Sequence, residues 1–256
     1  MSDRLFEHAE SPSLIVGRIA EGEEAPDAYE LKFLVPEAVA RAAEEWALGA
    51  GRMGRDPHAD AATGWAYTTT TLYFDTSALD VYHRREGYAR ERYRVRRYGD
   101  GDTLHLERKN KRGDLVSKLR APIVIDELSQ LATASQGEAI WAGRWFSERV
   151  SELSLHPAML LTYRRTAFVG ACIEGPLRLT VDRGARARLC TDADRWDVRP
   201  LAVDEGVDVL RGQAVLELKY LTALPLPFKS LLKILNVQPG SASKYRLGRD
   251  AAAARL

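Results

Sequence analysis

A two-residue alternation of charged and apolar side chains is the feature that most constrains how this chain folds. In residues 89–98 (ARERYRVRRY) every second residue from Arg90 to Arg96 is an arginine, so a strand there carries a cationic stripe on one face. On a single strand, a charged face is usually a solvated outer face. The alternation recurs on four further segments, with Glu30 and Lys32; His105, Glu107 and Lys109; Arg178, Thr180 and Asp182; and Glu217 and Lys219.

Each of these segments has an apolar face opposite the charged one, as with Leu31 and Phe33 beside Lys32. Segments with helical periodicity must also bury an apolar face, and the apolar face of the sheet is the available partner. If helices cover the outside, the charged face points inward. A wide barrel can enclose a ligand in a polar interior and so satisfies both requirements. We therefore predict an α+β fold, an antiparallel β-barrel with helices packed outside.

The predicted elements begin with a strand over residues 29–35 and a helix from Pro36 to about residue 48, because proline suits the first helical turn. A loop rich in Gly, Asp and Pro follows. Turn signals such as the GDGD of residues 99–102 then separate a meander of strands. The remaining segments are strands 65–74, 89–98, 103–110 and 114–121, helices 123–131 and 138–153, strands 159–173, 177–186 and 214–221, and helix 228–235.

The domain organisation follows from length and composition. A chain of 256 residues that is 45% hydrophobic can bury a substantial core, and single β-barrels often exceed about 200 residues. We expect one folded domain over residues 27–248. Residues 1–26, which hold six acids, are predicted to be a flexible acidic leader, and residues 249–256 an alanine-rich C-terminal tail.

The distribution of charge favours a multivalent anion over nucleic acid as the ligand. The formal net charge is only +1, and aromatic residues do not alternate with basic ones as stacking platforms, so we expect no nucleic-acid partner. Residues 83–120 nevertheless hold thirteen Arg or Lys against six Asp or Glu. This local excess is where we expect an anion to bind.

Two further patterns bear on cofactors and location. Cys172 and Cys190 cannot complete a four-cysteine metal site, and we interpret both as reduced thiols. No segment approaches the run of about 18 apolar residues that a membrane helix needs, and the acidic N-terminus lacks the pattern of a secretory signal. We predict a cytoplasmic protein with no membrane segment of its own.

A barrel interior lined by Arg and Lys needs a multivalent anion or water beside the cations, because crowded like charges repel. Phosphate chains suit such a cavity, since Arg binds phosphate bidentately and Lys supplies point charges. The carboxylates among these cations have two interpretations. Glu30, Glu107 and Glu217 are either salt-bridge partners of the basic residues or ligands of Mg²⁺ or Mn²⁺ beside the phosphates.

Seven short motifs, in order, resemble the polyphosphate-polymerase domain of the VTC (vacuolar transporter chaperone) family, within the wider triphosphate tunnel metalloenzyme group. The resemblance spans residues 28–247. The motifs are residues 29–32 (YELK), 72–76 (LYFDT), 94–96 (RVR), 106–109 (LERK), 163–168 (YRRTAF), 217–220 (ELKY) and 243–246 (SKYR).

The resemblance implies a fold, a reaction and a set of residues. The family fold is an antiparallel β tunnel, in which a nucleoside triphosphate and Mn²⁺ or Mg²⁺ support transfer of the terminal phosphoryl group to a polyphosphate chain. Glu217 would ligate the metal. Lys219 and Tyr163 join the substrate-binding set, although Tyr163 is equally a packing residue. The catalytic set implied by motif match is Lys32, Arg94, Arg96, Lys109, Arg165, Arg178, Glu217 and Lys244.

The sequence departs from the hydrolytic relatives in its first strand. Those relatives carry ExExK with additional metal carboxylates, and the first Glu is replaced here by Ala28, which favours a polymerase over a triphosphatase. Lys118 is a weaker phosphate-binding candidate, because its neighbours do not fix its alternation. Asp75 is interpreted as a turn or helix-cap residue and not as a metal ligand.

The sequence predicts a metal-dependent polyphosphate polymerase that consumes a nucleoside triphosphate, with ATP as the expected donor. Two alternatives remain open: a tunnel triphosphatase or polyphosphatase, and a non-catalytic polyphosphate-binding module. The resemblance also implies a membrane-protein partner that would bring the cytoplasmic chain to the inner face of a membrane.

Overall fold

The computed structural model describes residues 24–57, 59, 61–133, 141–193, 195–240 and 242–254. Most of the predicted leader, residues 1–23, lies outside the described residues. So do residues 138–140, at the start of a predicted helix, and residues 255–256 of the predicted tail.

The described residues form a ten-stranded antiparallel sheet that closes into a barrel. Eight strands follow one another in the order β7, β3, β4, β5, β6, β1, β10, β8, and β8 pairs back with β7, which confirms the predicted architecture. The strands are β1 Glu24–Pro36, β2 Gly54–Arg55, β3 Ala66–Asp75, β4 Glu91–Tyr98, β5 Thr103–Arg112, β6 Leu115–Val124, β7 His156–Cys172, β8 Gly175–Leu189, β9 Val207–Asp208 and β10 Gln213–Tyr220.

Helices connect the strands or follow the last one. The α-helices are α1 Glu37–Leu48, α2 Asp80–His83, α3 Gln130–Thr133, α4 Arg144–Glu152, α5 Leu226–Leu235 and α6 Lys244–Ala253. Short 3-10 turns occupy Gly49–Gly51, Ala61–Thr63 and Ile125–Ser129. Within the described ranges, no helix is long and apolar enough to cross a membrane.

Helices α1 and α5 cover the outer face of β1, β8 and β10. Phe33 on β1 and Leu216 on β10 are register partners, and both pack in one buried cluster with Ala43 of α1 and Phe228 of α5. The neighbouring residues of each strand, with the opposite side-chain direction, are the charged ones. The apolar face therefore lies under the helices and the charged face lines the barrel, as the alternation predicts.

Helix α4 covers another part of the outer face in the same way. The Phe146 ring contacts the rings of Phe74 on β3 and Tyr93 on β4, with centroid distances of 5.4 and 5.7 Å and edge-on geometry. Phe146 is fully buried. Edge-on aromatic pairs add to the hydrophobic energy of burial, and these contacts hold α4 against the barrel wall.

A bulge in β8 changes which residues face the interior. Arg183 pairs with Arg164 and Arg186 pairs with Thr162, so two residues of β8 stand opposite Tyr163 alone. One of the two is Gly184, whose φ of 58° suits a residue without a side chain. Before the bulge the inward positions of β8 are polar, and beyond it they are Ala185 and Ala187, both fully buried.

Helix α6 packs into the apolar end of the barrel. A Cβ atom on Gly248 would lie 2.8 Å from the end of the Met159 side chain and 3.2 Å from the Ala187 side chain, so glycine allows this close approach without displacing Met159. The Tyr245 ring packs on the Tyr73 ring with centroids 5.1 Å apart. The predicted domain boundary between residues 248 and 249 falls inside this helix.

Most predicted elements have bounds that differ by a few residues from the observed ones, α6 was not among the predicted elements, and one region differs in the type of element. Residues 123–131 were predicted as a helix, but β6 continues to Val124, which pairs with Thr103 of β5. The chain then enters a 3-10 turn, Ile125–Ser129, before α3. The strand hydrogen bonds outweigh the local helical pattern at Ile123, whose side chain is buried.

We expect Phe228→Ala to lower the free energy of unfolding by about 3–5 kcal/mol, because it removes a fully buried ring between α5 and the barrel. Urea denaturation measures this change. Lys229→Ala on the same helix is the control, since Lys229 is exposed and its loss should change stability by less than about 0.5 kcal/mol. If Phe228→Ala changed the free energy of unfolding as little as Lys229→Ala does, α5 would not stabilise the barrel.

Candidate functional site

The inward faces of the strands enclose a cavity of 580 Å³. Its walls carry eleven basic residues and three carboxylates, so positive charge dominates the space. The basic residues are Lys32, Arg84, Arg90, Arg92, Arg94, Arg96, Lys109, Lys111, Lys118, Arg165 and Lys244, and the carboxylates are Glu30, Asp114 and Glu217. Such a cavity is suited to a multivalent anion.

The structure brings together eight of the ten residues that the sequence predicts for the site. These are Lys32, Arg94, Arg96, Lys109, Tyr163, Arg165, Glu217 and Lys244, which all line the cavity. The other two lie outside its lining. Arg178 Nη2 forms an ion pair with Asp56 Oδ2 at 2.6 Å and donates to the Tyr67 hydroxyl at 3.2 Å, and Lys219 neighbours Arg178 in the ladder between β10 and β8.

Sequence reasoning missed several lining residues. Arg90, Arg92 and Lys111 lie on the same alternation as the predicted residues, so the pattern could have included them. Arg84 follows the short helix α2, and no periodicity indicates it. Lys118, the weaker candidate, does line the cavity, because β6 and β5 pair so that Lys118 stands opposite Lys109.

Glu30 is a salt-bridge centre for three lysines. Its carboxylate lies 2.5 Å from Lys109 Nζ, 2.9 Å from Lys118 Nζ and 3.5 Å from Lys32 Nζ, and its side chain is 1% exposed. Burial raises the pKa of Glu30, but the charges of Lys109, Lys118 and Lys32 lower it well below its usual value. Glu30 is therefore an ionised partner of the lysines, which favours the salt-bridge interpretation.

Glu107 plays the same part for three arginines. It accepts from Arg94 Nε at 2.7 Å and from Arg120 Nε at 3.0 Å, while Arg96 Nη1 lies 3.6 Å away. Burial raises the pKa of Glu107, yet the charges of Arg94, Arg96 and Arg120 bring it well below its usual value. This carboxylate stays ionised and holds the arginine side chains in place.

Asp182 joins helix α6 to the barrel wall. Arg165 binds it bidentately, with Nε to Oδ1 at 2.6 Å and Nη2 to Oδ2 at 2.8 Å, and Lys244 Nζ lies 2.5 Å from Oδ2. Lys244 is the first residue of α6, so the ion pair positions the start of this helix against the cavity. Burial raises the pKa of Asp182, but Arg165 and Lys244 lower it below its usual value.

Glu217 is the most accessible of the four inward carboxylates on β1, β5, β8 and β10. Its side chain is 12% exposed, against 1% or less for Glu30, Glu107 and Asp182. Lys32 Nζ lies 2.6 Å from its Oε2. Burial and the charge of Glu30 raise the pKa of Glu217, but Lys32 and Lys109 lower it below its usual value, so an ionised carboxylate faces the cavity.

The surroundings of Glu217 can accept a hard divalent cation together with phosphates. Thr180 stands opposite Glu217 in the ladder, and its buried hydroxyl has no hydrogen-bond partner among the described residues. No group of three or more His, Cys, Asp and Glu that could hold a metal occurs in the described part of the chain. Mg²⁺ commonly uses one or two protein oxygens and takes the others from phosphates and water, so these residues fit that mode.

Ala28 stands at the position where hydrolytic relatives have the first Glu of their first-strand motif. Ala28 is fully buried and pairs with Val116 of β6. A methyl group at this place supplies no metal ligand.

Asp75 is a helix-cap residue, as predicted. Its carboxylate accepts from the backbone N–H groups of Thr76, Val81 and Tyr82, at 2.7–3.0 Å, and from the Tyr245 hydroxyl at 2.6 Å. These bonds satisfy the free N–H groups at the start of α2 and attach α6 to the same corner. The carboxylate has its acceptor positions occupied, which leaves it outside the metal set.

Residues 27–252 match the family model of the VTC domain, whereas no curated protein matches the chain. Among solved structures, a candidate adenylate cyclase from Bacillus halodurans is 12% identical, covers 86% of this chain and 95% of its own, and gives a TM-score of 0.49. A candidate adenylyl cyclase from Hippeastrum with a dominant triphosphatase activity is 17% identical, with coverages of 88% and 95% and a TM-score of 0.44. Likenesses this distant carry no conclusion about activity.

We expect Glu107→Gln to destabilise the fold by about 3–5 kcal/mol at pH 7, because it leaves the buried guanidinium groups of Arg94 and Arg96, and the partly exposed one of Arg120, without their shared anion. The pH dependence should also become shallower. The folded pKa of Glu107 lies below the unfolded one, so its stabilisation is present above the usual pKa of 4.5 and is lost as pH falls through the lower folded value.

Guanidinium chloride denaturation at about pH 7 and pH 3 measures both effects. Glu148→Gln is the control, because Glu148 lies on the exposed face of α4 and pairs with the exposed Arg144. If the free energy of unfolding of Glu107→Gln depended on pH as steeply as that of the wild type, Glu107 would not be an ion-pair centre.

Proposed function

The chain belongs to the VTC domain family, and we propose on that premise that it is a metal-dependent polyphosphate polymerase. The terminal phosphoryl group of a nucleoside triphosphate is transferred in the cavity to the end of a polyphosphate chain. The observation that carries the proposal is Glu217, an ionised and accessible carboxylate in a cavity whose other walls are mostly Lys and Arg.

The basic residues hold the phosphates with the N–H groups that their carboxylate partners leave free. Arg94 and Arg165 are bound to Glu107 and Asp182, and both line the cavity. Their remaining N–H groups are available to phosphate oxygens, because a guanidinium has five donors. Lys32 and Lys109 add point charges beside them. The carboxylates keep the cations positioned, so little reorganisation is needed when the polyanion binds.

Transfer of the phosphoryl group needs positioning and charge neutralisation more than covalent catalysis. The bond between the terminal phosphorus and its bridging oxygen breaks, a bond to the terminal oxygen of the chain forms, and the nucleoside diphosphate leaves with the bridging oxygen. The acceptor oxygen is already anionic, so no strong general base is required. Water as the acceptor would need one, and Ala28 supplies no carboxylate where hydrolytic relatives have Glu.

Glu217 and the Thr180 hydroxyl are the residues that would hold a divalent cation, Mn²⁺ or Mg²⁺, with the phosphates. When bound, the cation neutralises charge on the phosphate oxygens as it develops. Lys32 stays within reach of both Glu217 and Glu30, at 2.6 and 3.5 Å, and so orients the free carboxylate toward the cavity.

The donor and the partners extend the proposal. ATP is the expected donor, polyphosphate the acceptor and product, and nucleic acid is not a ligand. A membrane protein that takes up the finished chain would bring this cytoplasmic domain to the inner face of a membrane. The family membership and the basic cavity support these assignments, and each requires its own test.

We expect Glu217→Gln to lower the rate of polyphosphate synthesis by about 100-fold or more, because an amide binds Mn²⁺ far more weakly than a carboxylate does. The purified chain is incubated with ATP and Mn²⁺, and products are separated on a gel with released phosphate measured in parallel. The variant should fold, since Lys32 retains Glu30 as a partner. Glu148→Gln is the control and should keep full activity.

The two alternatives have separate results in the same assay. Free phosphate without long chains would replace the polymerase with a tunnel triphosphatase. No turnover by the wild-type chain, combined with unimpaired binding of polyphosphate in a calorimeter, would indicate a binding module. Polymer formed equally well by Glu217→Gln would remove Glu217 from the mechanism.

Although Lys219 lies outside the cavity lining, its ionisation leads us to expect that substrate binding depends on pH. The positive charge of Lys118, together with burial, lowers the pKa of Lys219 to about 7. A polyanion favours the protonated lysine, so its affinity should fall as pH rises through this value. In Lys219→Arg the side chain stays charged and the decline should be smaller. Calorimetric titration with inorganic tripolyphosphate between about pH 6 and 9 measures it.

Tyr98 titrates in the same range and needs its own control. Burial raises the pKa of Tyr98, but Arg96 and Arg120 lower it to about 8. Tyr98→Phe removes this group and should preserve the decline due to Lys219. The same pH slope in Lys219→Arg as in the wild type would exclude Lys219 from binding.

A further inference from the structure

Three buried polar groups without partners lie together on β3 and β4. The Thr69 and Thr71 hydroxyls and the Nε–H of Arg96 have no hydrogen-bond partner among the described residues. Thr69 and Thr71 are fully buried, and Arg96 is 7% exposed. A buried polar group without a partner costs free energy, so three at one place indicate that something else binds there.

The strand register brings these groups to one spot on the inner wall. Thr71 is the partner of Arg96 across β3 and β4, and Thr69 is two residues away on the same face. On the other side, Thr69 is the partner of Tyr163 on β7. Arg96 and Tyr163 both line the cavity, so the two threonines, which are not in its lining themselves, lie directly beside residues that are.

On the outer face of the same strand, the threonine hydroxyl does have a hydrogen-bond partner. Thr70, between the two threonines, points the other way, and its hydroxyl pairs with the Thr162 hydroxyl at 3.2 Å. Thr162 in turn accepts from the backbone N–H of Leu201. On β3, the outward-facing Thr70 hydroxyl is thus paired, whereas the inward-facing hydroxyls of Thr69 and Thr71 are not.

Arg96 makes this spot attractive to an anion. Its contact with Glu107, at 3.6 Å, is the longest of those that the carboxylate makes with its three arginines, since Arg94 and Arg120 bind at hydrogen-bond distance. The positive charge of Arg96 is the least neutralised of the three. Two hydroxyl donors and a cation, converging in a buried place, match the oxygens of a phosphate group.

We propose that Thr69, Thr71 and Arg96 form a deep phosphate subsite, which binds one phosphate unit of the polyanion beyond those held by Lys32 and Lys109. The inference rests on the proposed function, because it assigns the subsite to the same tunnel. The hydroxyls of Thr69 and Thr71 would then determine how far the chain of phosphates extends into the barrel. Because these groups are neutral, the pattern of charges in the sequence does not indicate them.

The test uses the full chain with inorganic tripolyphosphate in a calorimeter, and thermal unfolding of each variant. Thr69→Val and Thr71→Val should each raise the Kd by about tenfold, because a hydrogen bond to a charged oxygen is lost. Their melting temperatures should stay equal or rise, since valine fills the same space without an unpaired hydroxyl. Thr71→Ser keeps the hydroxyl and should bind like the wild type.

Thr70→Val is the matched control. It makes the same chemical change at the adjacent residue on the outer face, and it should leave the Kd unchanged while losing some stability, because the Thr162 hydroxyl loses one of its two partners. Wild-type affinity in both Thr69→Val and Thr71→Val would overturn the subsite and leave the proposed function intact. A wild-type chain that does not bind tripolyphosphate would overturn both.

Discussion

The fold depends on the compensation of positive charge inside a closed barrel. Buried guanidinium and ammonium groups are costly unless each has an ionised partner, and here Glu30, Glu107 and Asp182 each bind two or three cations. The partners come from different strands, so the ion pairs form in one register. A shift of a strand by one residue would move its charges to the helix-covered face, which makes the register specific.

The carboxylates neutralise only part of the positive charge in the cavity, so the barrel is able to bind an anionic ligand. The cavity wall has eleven basic residues against three carboxylates, and the carboxylates keep the cations ordered before any phosphate arrives. A polyanion then finds donors that already point into the cavity, and binding requires little reordering of long side chains. Glu217 differs from Glu30, Glu107 and Asp182 because its side chain remains accessible from the cavity.

A single irregularity divides the barrel interior into two parts. The bulge at Gly184 replaces the inward Asp182 with the inward alanines Ala185 and Ala187, so one part is polar and the other accepts the apolar side of α6. Gly248 permits the close contact, and Lys244 extends from the same helix to Asp182. The end of the chain thereby contributes a charged residue to the cavity and fills the barrel beyond it.

The sequence by itself determined the barrel, its covered outside and its cationic interior, because strand alternation is a local property with a fixed period of two. It also indicated eight of the cavity residues, including Lys32 and Glu217. The tertiary structure decided which carboxylates pair with which cations, and it assigned Glu30 to its lysines and Asp75 to a helix cap. These partners are distant along the chain, so their pairing depends on strand register and on the bulge in β8, and the unpaired hydroxyls of Thr69 and Thr71 became visible only once the neighbouring strands enclosed them.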